Sequence, residues 1–151
     1  MNSRMSACNL GSAIALLVVA CSTAPQAIAV VARDYALTAP DSAHTGDATF
    51  TLDNRGAKDH ELMVGLLRLG AGSREIVAAH QRGLNFRQLT HAYLREPVAG
   101  ILYAPPGAKA AARIIVNLQP GQTYVLFCQL RDTVGAQQHA ALGMFHLLHV
   151  R

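Results

Sequence analysis

The sequence predicts an all-β chain, a β-sandwich interrupted once by a short helical insertion, and three observations carry that reading. Apolar and polar residues alternate with period two in most segments between turns. Pro, Gly, Asn and Asp cluster where the alternation stops. The period becomes helical only once, between Ser73 and Glu96. With 151 residues, 51% hydrophobic and 15% charged, the composition suits one compact domain with a single core, and a monomer is expected.

The first residues read as an export signal. Arg4 supplies a short positive region, and Leu10–Ala20 (LGSAIALLVVA) is an apolar run of secretory length, too short to span a bilayer. Two cleavage sites compete. Val18-Val19-Ala20-Cys21 resembles a bacterial lipoprotein box, which would make lipidated Cys21 the new N-terminus, with Val standing where Leu is usual. Ala27-Ile28-Ala29 suits ordinary signal peptidase. The expected organisation is a signal over 1–29, or a lipoprotein signal over 1–20 with a short tail, and a domain over 30–151. The expected location is the periplasm or the exterior, with membrane attachment through Cys21 in the lipoprotein case.

In order along the domain, Arg33–Ala39 (RDYALTA) and Ala48–Asn54 (ATFTLDN) alternate and are read as strands, and PDSAHTGD between them has turn chemistry. His60–Leu69 (HELMVGLLRL) is a longer apolar run starting from an Asn-Arg-Gly turn. Gly65 inside it favours a buried strand over a helix. SREIVAAHQRG and LNFRQLTHAYLRE then place apolar residues at helical spacing, ending before Pro97. After the Pro105-Pro106-Gly107 turn, Ala112–Leu118 (ARIIVNL), Thr123–Leu130 (TYVLFCQL) and His146–Val150 (HLLHV) resume the strand pattern. That makes six or seven strands.

Charge excludes more than it identifies. Once Arg4 leaves with the signal, 12 Lys and Arg face 9 Asp and Glu, with no basic run interleaved with aromatics, so the excess reads as solvated surface and not as a nucleic-acid interface. No nucleophile elbow, zinc-protease pair, haem-attachment pair or phosphate loop occurs, and His60-Glu61 lacks the second histidine that a protease motif needs. The chain is read as a non-enzyme. His146 and His149 read as exposed at a strand end, because residues three apart on a strand point to opposite faces; His80 and His91, on the predicted helices without a partner four residues on, and His44, in a turn, read as surface or packing residues.

Cys128 stands out. Cys8 leaves with the signal and Cys21 lies in the tail, so Cys128 meets an oxidising exterior without an obvious disulfide partner. It is either a buried small hydrophobe or a metal ligand.

The order Asn54-Arg-Gly-Ala-Lys-Asp-His60, helical excursion, Leu118-Gln-Pro-Gly-Gln-Thr-Tyr-Val-Leu-Phe-Cys128, His139 and Leu142-Gly143-Met144 resembles the cupredoxins, the type 1 or blue copper proteins, over roughly Arg33 to Arg151. The resemblance implies a Greek-key β-sandwich whose helical insertion lies between the strand of the first histidine and the strand of the cysteine. It implies one copper ion held by His60, Cys128 and His139 with Met144 as a weak axial ligand, and a one-electron carrier that serves redox partner proteins. Ten residues separate Cys128 from His139, where the family places two to four. Copper storage or delivery, and a metal-free interaction module, stay open as alternatives. Met63, Phe127, Leu142 and Phe145 are expected to form the dry surround of the ion.

Overall fold

A computed structural model describes residues 24–151 except Glu96, and the Phe86 side chain is likewise outside the description; the apolar run Leu10–Ala20 and Cys21, on which the expected lipoprotein signal rests, lie outside the described residues. Two sheets face each other. The first has the order β2-β1-β4-β7, from β1 (Gln26–Arg33), β2 (Ala36–Thr38), β4 (Gly46–Asn54) and β7 (Ile114–Leu118). The second has the order β3-β9-β8-β5-β6, from β3 (Ser42–Ala43), β5 (His60–Leu66), β6 (Ile101–Ala104), β8 (Thr123–Phe127) and β9 (Phe145–Val150). Between β5 and β6 run α1 (Ser73–Gln81) and α2 (Phe86–Tyr93). The expected Greek-key sandwich with a helical insertion is the observed architecture.

The strands differ from expectation at both ends of the apolar scale. β1 begins at Gln26 and pairs in parallel with β4 from Gln26↔Ala48 to Ala32↔Asn54, so the sheet includes residues that the small-residue signature assigned to a cleavage site. Only Ala36–Thr38 of the predicted first strand is a separate element, and β6, four residues long, gave too short a pattern to register.

Residue parity builds the interior. On β5 and β8, Leu62, Val64, Tyr124 and Leu126, with Cys128 just past the end of β8, point between the sheets and join Val30, Phe50, Leu52, Leu118 and Leu148 in one buried cluster. Their odd-numbered neighbours Met63, Val125 and Phe127 face outward. There they would be wet, and the helical insertion covers them: Ile76 and Leu94 pack on that outer face in a second cluster. The insertion is therefore a lid on the second sheet.

Gly65 shows why the run HELMVGLLRL carries a glycine. A Cβ there would lie 2.8 Å from both Cδ atoms of Leu94, so the bare backbone is the seat into which Leu94 drops. α2 itself starts with a reciprocal cap, in which Asn85 Oδ1 accepts the Gln88 N–H at 3.0 Å and Gln88 Oε1 accepts the Asn85 N–H at 2.9 Å.

Leu94 is 5% exposed. Leu94→Ala is expected to lower unfolding stability by about 2–4 kcal/mol, the lost burial plus the cavity left over Gly65. Chemical denaturation checks it; a loss under about 1 kcal/mol would show that the insertion is not seated through this side chain.

Candidate metal centre

The centre is built where β1, β4, β5 and β8 all reach the same pole of the sandwich. Asn54, the last residue of β4, is fully buried and spends its whole amide there. Its Nδ2 donates to Ala104 O at 2.9 Å and Lys58 O at 2.8 Å, and its Oδ1 accepts the Gly56 N–H at 2.9 Å. The turn from 54 to 58 is wound around that side chain and delivers His60 to the first, inward position of β5. Cys128, one residue past β8, shares the inward parity and is fully buried.

His139 arrives by a longer route, and the ten-residue spacing proves short in space. The His139 N–H donates to Leu130 O at 2.8 Å and the Ala140 N–H to Cys128 O at 2.8 Å, closing the loop at its base so that residues 131–138 form an excursion. A single 3₁₀ turn, His139–Leu142, ends at Gly143 with φ 104°, a left-handed value that favours glycine. That turn aims the chain back so that Cys128 N–H reaches Met144 O at 3.2 Å and Met144 N–H reaches His139 O at 3.0 Å.

Three donor atoms converge. One ligand atom each from His60, Cys128 and His139 lies within 4.8 Å of the other two, and all three residues are buried. The two Nδ1 atoms are 3.3 Å apart, and Cys128 Sγ is 3.5 Å from His139 Nδ1. The outer nitrogens are engaged elsewhere: His60 Nε2 meets Asp34 Oδ1 at 2.7 Å, and His139 Nε2 meets Asp132 Oδ1 at 3.2 Å. A carboxylate accepts, so each Nε2 carries a proton, and in the neutral imidazole that leaves the lone pair on Nδ1, the inward nitrogen. Two lone pairs and a sulfur aimed at one buried point form a donor set for a cation, and imidazole with thiolate is the set that soft or borderline transition metals take.

The electrostatics agree. Burial pushes the Cys128 thiol up to about 11, against hydrogen bonds from the Glu61 and Leu130 N–H groups and with the Glu61 charge adding to the rise. Without a cation beside it the sulfur is a thiol at neutral pH. Burial lowers the His139 pKa, opposed by the Asp132 bond, so the ring is neutral and its Nδ1 can bind. Asp132 is held below the usual carboxylate range by the Tyr35 hydroxyl first, then by His139 and Lys58. Asp34 is raised by burial, but the Ala57 N–H, His60 and the Lys58 N–H outweigh that and keep it low. Both carboxylates are therefore ionised acceptors.

Met144 is fully buried in the same cluster as Cys128 and bonded through its main chain to Cys128 and His139. The expected dry surround is corrected. Met63, Phe127 and Phe145 lie with the outer cluster beneath the helices, opposite in parity to Cys128, and Leu142 is 44% exposed. The surround is instead polar and aliphatic: Asp34, Asp132, Asn54 and the edge of Tyr35, whose ring centroid is 5.0 Å from that of His139. Asp34, Asp132 and Tyr35 have no local signature, because they meet the histidines only through the tertiary fold. Of the remaining histidines, His80 is buried with Nδ1 on Ile76 O at 2.8 Å, which makes it a packing residue.

Gly56 is the tightest point. A Cβ there would sit 2.2 Å from Asp34 Oδ1 and 2.9 Å from His60 Nε2. Gly56→Ala is expected to displace Asp34, release His60 into a mixture of tautomers visible by nitrogen NMR of the metal-free protein, and weaken metal binding about 10-fold or more. An unchanged tautomer would show that Asp34 does not fix the ring.

No protein-family model matches the chain, and no curated protein matches it in sequence. Solved structures do. Dithionite-reduced auracyanin from the photosynthetic bacterium Roseiflexus castenholzii aligns over 85% of this chain and 99% of its own, with TM-score 0.52 and 16% identity. Auracyanin A, a "blue" copper protein from Chloroflexus aurantiacus, aligns over 85% and 100%, with TM-score 0.51 and 16% identity. An azurin from Methylomonas sp. strain J aligns over 85% and 99%, with TM-score 0.50 and 13% identity. With its two sheets in this order and its buried His-Cys-His cluster at one pole, the chain has the cupredoxin fold.

Proposed function

We propose that this protein is an exported, non-enzymatic one-electron carrier that holds a single copper ion at His60, Cys128 and His139, with Met144 as a weak axial contact. The observation that carries the reading is the convergence of two imidazole lone pairs and a thiol on one buried point. Copper bound there would supply a one-electron couple, since sulfur suits Cu(I) and imidazole nitrogen suits Cu(II). The chain's part is to hold the donors still. Asp34 and Asp132 lock both rings through Nε2, the Glu61 N–H reaches Cys128 Sγ at 3.4 Å, and burial keeps water off the sulfur. Donors already in place favour retention of the ion with little rearrangement, which supports electron carriage over storage or delivery.

Adding Cu(II) to the mature protein tests this. A thiolate-to-copper charge-transfer band is expected, with release of the Cys128 proton at pH 7, because that pH lies well below a thiol pKa of about 11. Cys128→Ser abolishes the band. His139→Ala retains some copper in a changed geometry, and Met144→Leu, similar in volume, keeps copper and raises the potential. Equal indifference of copper binding to all three changes leaves only a metal-free module, and ready loss of copper to a competing chelator favours delivery.

Location follows from the same chain. A cut after Ala29 would remove Gln26–Ala29 from β1, including Ile28 at 2% exposure. Cleavage before Cys21 leaves the strand whole, which supports the lipoprotein processing. Among the described residues no helix is long and apolar enough to cross a membrane. Cys21→Ser is expected to move the protein from the membrane fraction to the soluble periplasmic fraction; a soluble wild type would remove the lipid anchor from this picture.

A further inference from the structure

The cationic excess of the domain is confined to one element. Over residues 67–97, the helical insertion, five arginines face two glutamates, whereas the rest of residues 24–151 carries seven cations and seven anions. Arg68, Arg74, Arg82, Arg87 and Arg95 are all exposed, and among the described residues none has a carboxylate within ion-pair distance. Glu75 is engaged in accepting the Gly72 N–H at 2.9 Å.

Two of these arginines sit at a particular end of the sandwich. β5 runs from His60 at the metal centre to Leu66 at the far pole, where the Leu67 N–H bonds Thr123 O at 3.0 Å and the Arg95 N–H bonds Leu66 O at 2.8 Å. Arg68 Nε donates to Leu94 O at 2.9 Å, which fixes the guanidinium at the surface. Arg68, Thr90, His91 and Arg95 line an open cleft of about 360 Å³ there. Beside it, Leu69 is 85% exposed.

β1 starts at that same pole. Gln26 bonds His44 across the register in which Thr45 meets Arg151, and β1 ends at the metal centre, where Asp34 holds His60. Only residues 21–25 connect Cys21 to β1, a reach of at most about 17 Å. An anchor on Cys21 therefore keeps this pole, and not the metal pole, against the bilayer.

We propose that the pole carrying Arg68, Leu69, His91 and Arg95 docks on an anionic lipid surface beside the anchor, which turns the metal centre away from the membrane toward its partners. The inference rests on the lipid-attached placement proposed above. Arginine bidentate to phosphate, with an exposed apolar side chain next to it, is the chemistry of headgroup recognition, and a lipid chain plus a basic patch gives the stable attachment that either lacks alone.

Cys21→Ser protein isolates the patch from the anchor. At low salt and millimolar lipid it is expected to float with vesicles of phosphatidylglycerol and phosphatidylcholine, not with phosphatidylcholine alone, and to be released as salt rises. Each arginine is expected to contribute about five-fold, so Arg68→Gln with Arg95→Gln lowers partitioning about 25-fold. Because Arg68 also caps Leu94 O, Arg95→Gln alone is the second variant, expected to lower partitioning about five-fold, and Leu69→Ser should weaken flotation further. Arg33→Gln with Lys109→Gln, on other surfaces, should change nothing. Equal flotation on both vesicle types, an equal effect of that control pair, or no flotation on anionic vesicles overturns the proposal; the last outcome would assign the arginines to an acidic protein. A soluble wild type with intact anionic flotation would refute the anchor alone, and a protein that floats on anionic vesicles yet takes up no added copper would refute the metal reading alone.

Discussion

The buried amide of Asn54 is the constraint on which the metal pole depends. It stands at the end of β4 in one sheet and donates to Ala104 on β6 in the other, so it is a polar tie across the interior. Its other bonds define the turn that ends at His60. A buried amide that lost one of these partners would cost about 1–3 kcal/mol, so its bonds hold the turn in one shape. His60 is thus placed by a residue six positions earlier.

Much of this was legible in sequence, for a physical reason. Period-two patterns survive wherever one face of a strand is buried, so β4, β5, β7, β8 and β9 and the break for the insertion could be read directly. The same periodicity puts His60 and Cys128 on one face and Met63 and Phe127 on the other; the mistaken surround came from weighing apolarity and ignoring parity. β1 was hidden because small apolar residues serve both a cleavage site and a strand. Asp34, Asp132 and Tyr35 were hidden because their contacts are long-range, and nothing within a few residues of any of them marks it.

The long loop after Cys128 shows how spacing misleads. Counted along the chain, ten residues separate the sulfur from the imidazole, but hydrogen bonds at Leu130 and Cys128 close the loop before it departs. What matters for a ligand is where the last bonded residue stands, and by that measure His139 follows Leu130 directly. The excursion over 131–138 then has its own use: it carries Asp132 back over His139, with Tyr35 and Lys58 bonded or close to the same carboxylate.

That arrangement makes the site symmetric in an informative way. Each imidazole is gripped at Nε2 by a carboxylate from a loop at the pole, and each turns Nδ1 inward, so neither ring can rotate without breaking a charge-assisted bond. The arrangement brings the two Nδ1 atoms within 3.3 Å of each other, beside a buried thiol whose pKa burial raises. A cation at the centre would satisfy the inward nitrogens and compensate the thiolate that burial alone disfavours. The fold therefore gathers at this pole a buried donor set whose two imidazoles are each held at Nε2, so that a soft cation bound there, as proposed, would require little movement of the protein.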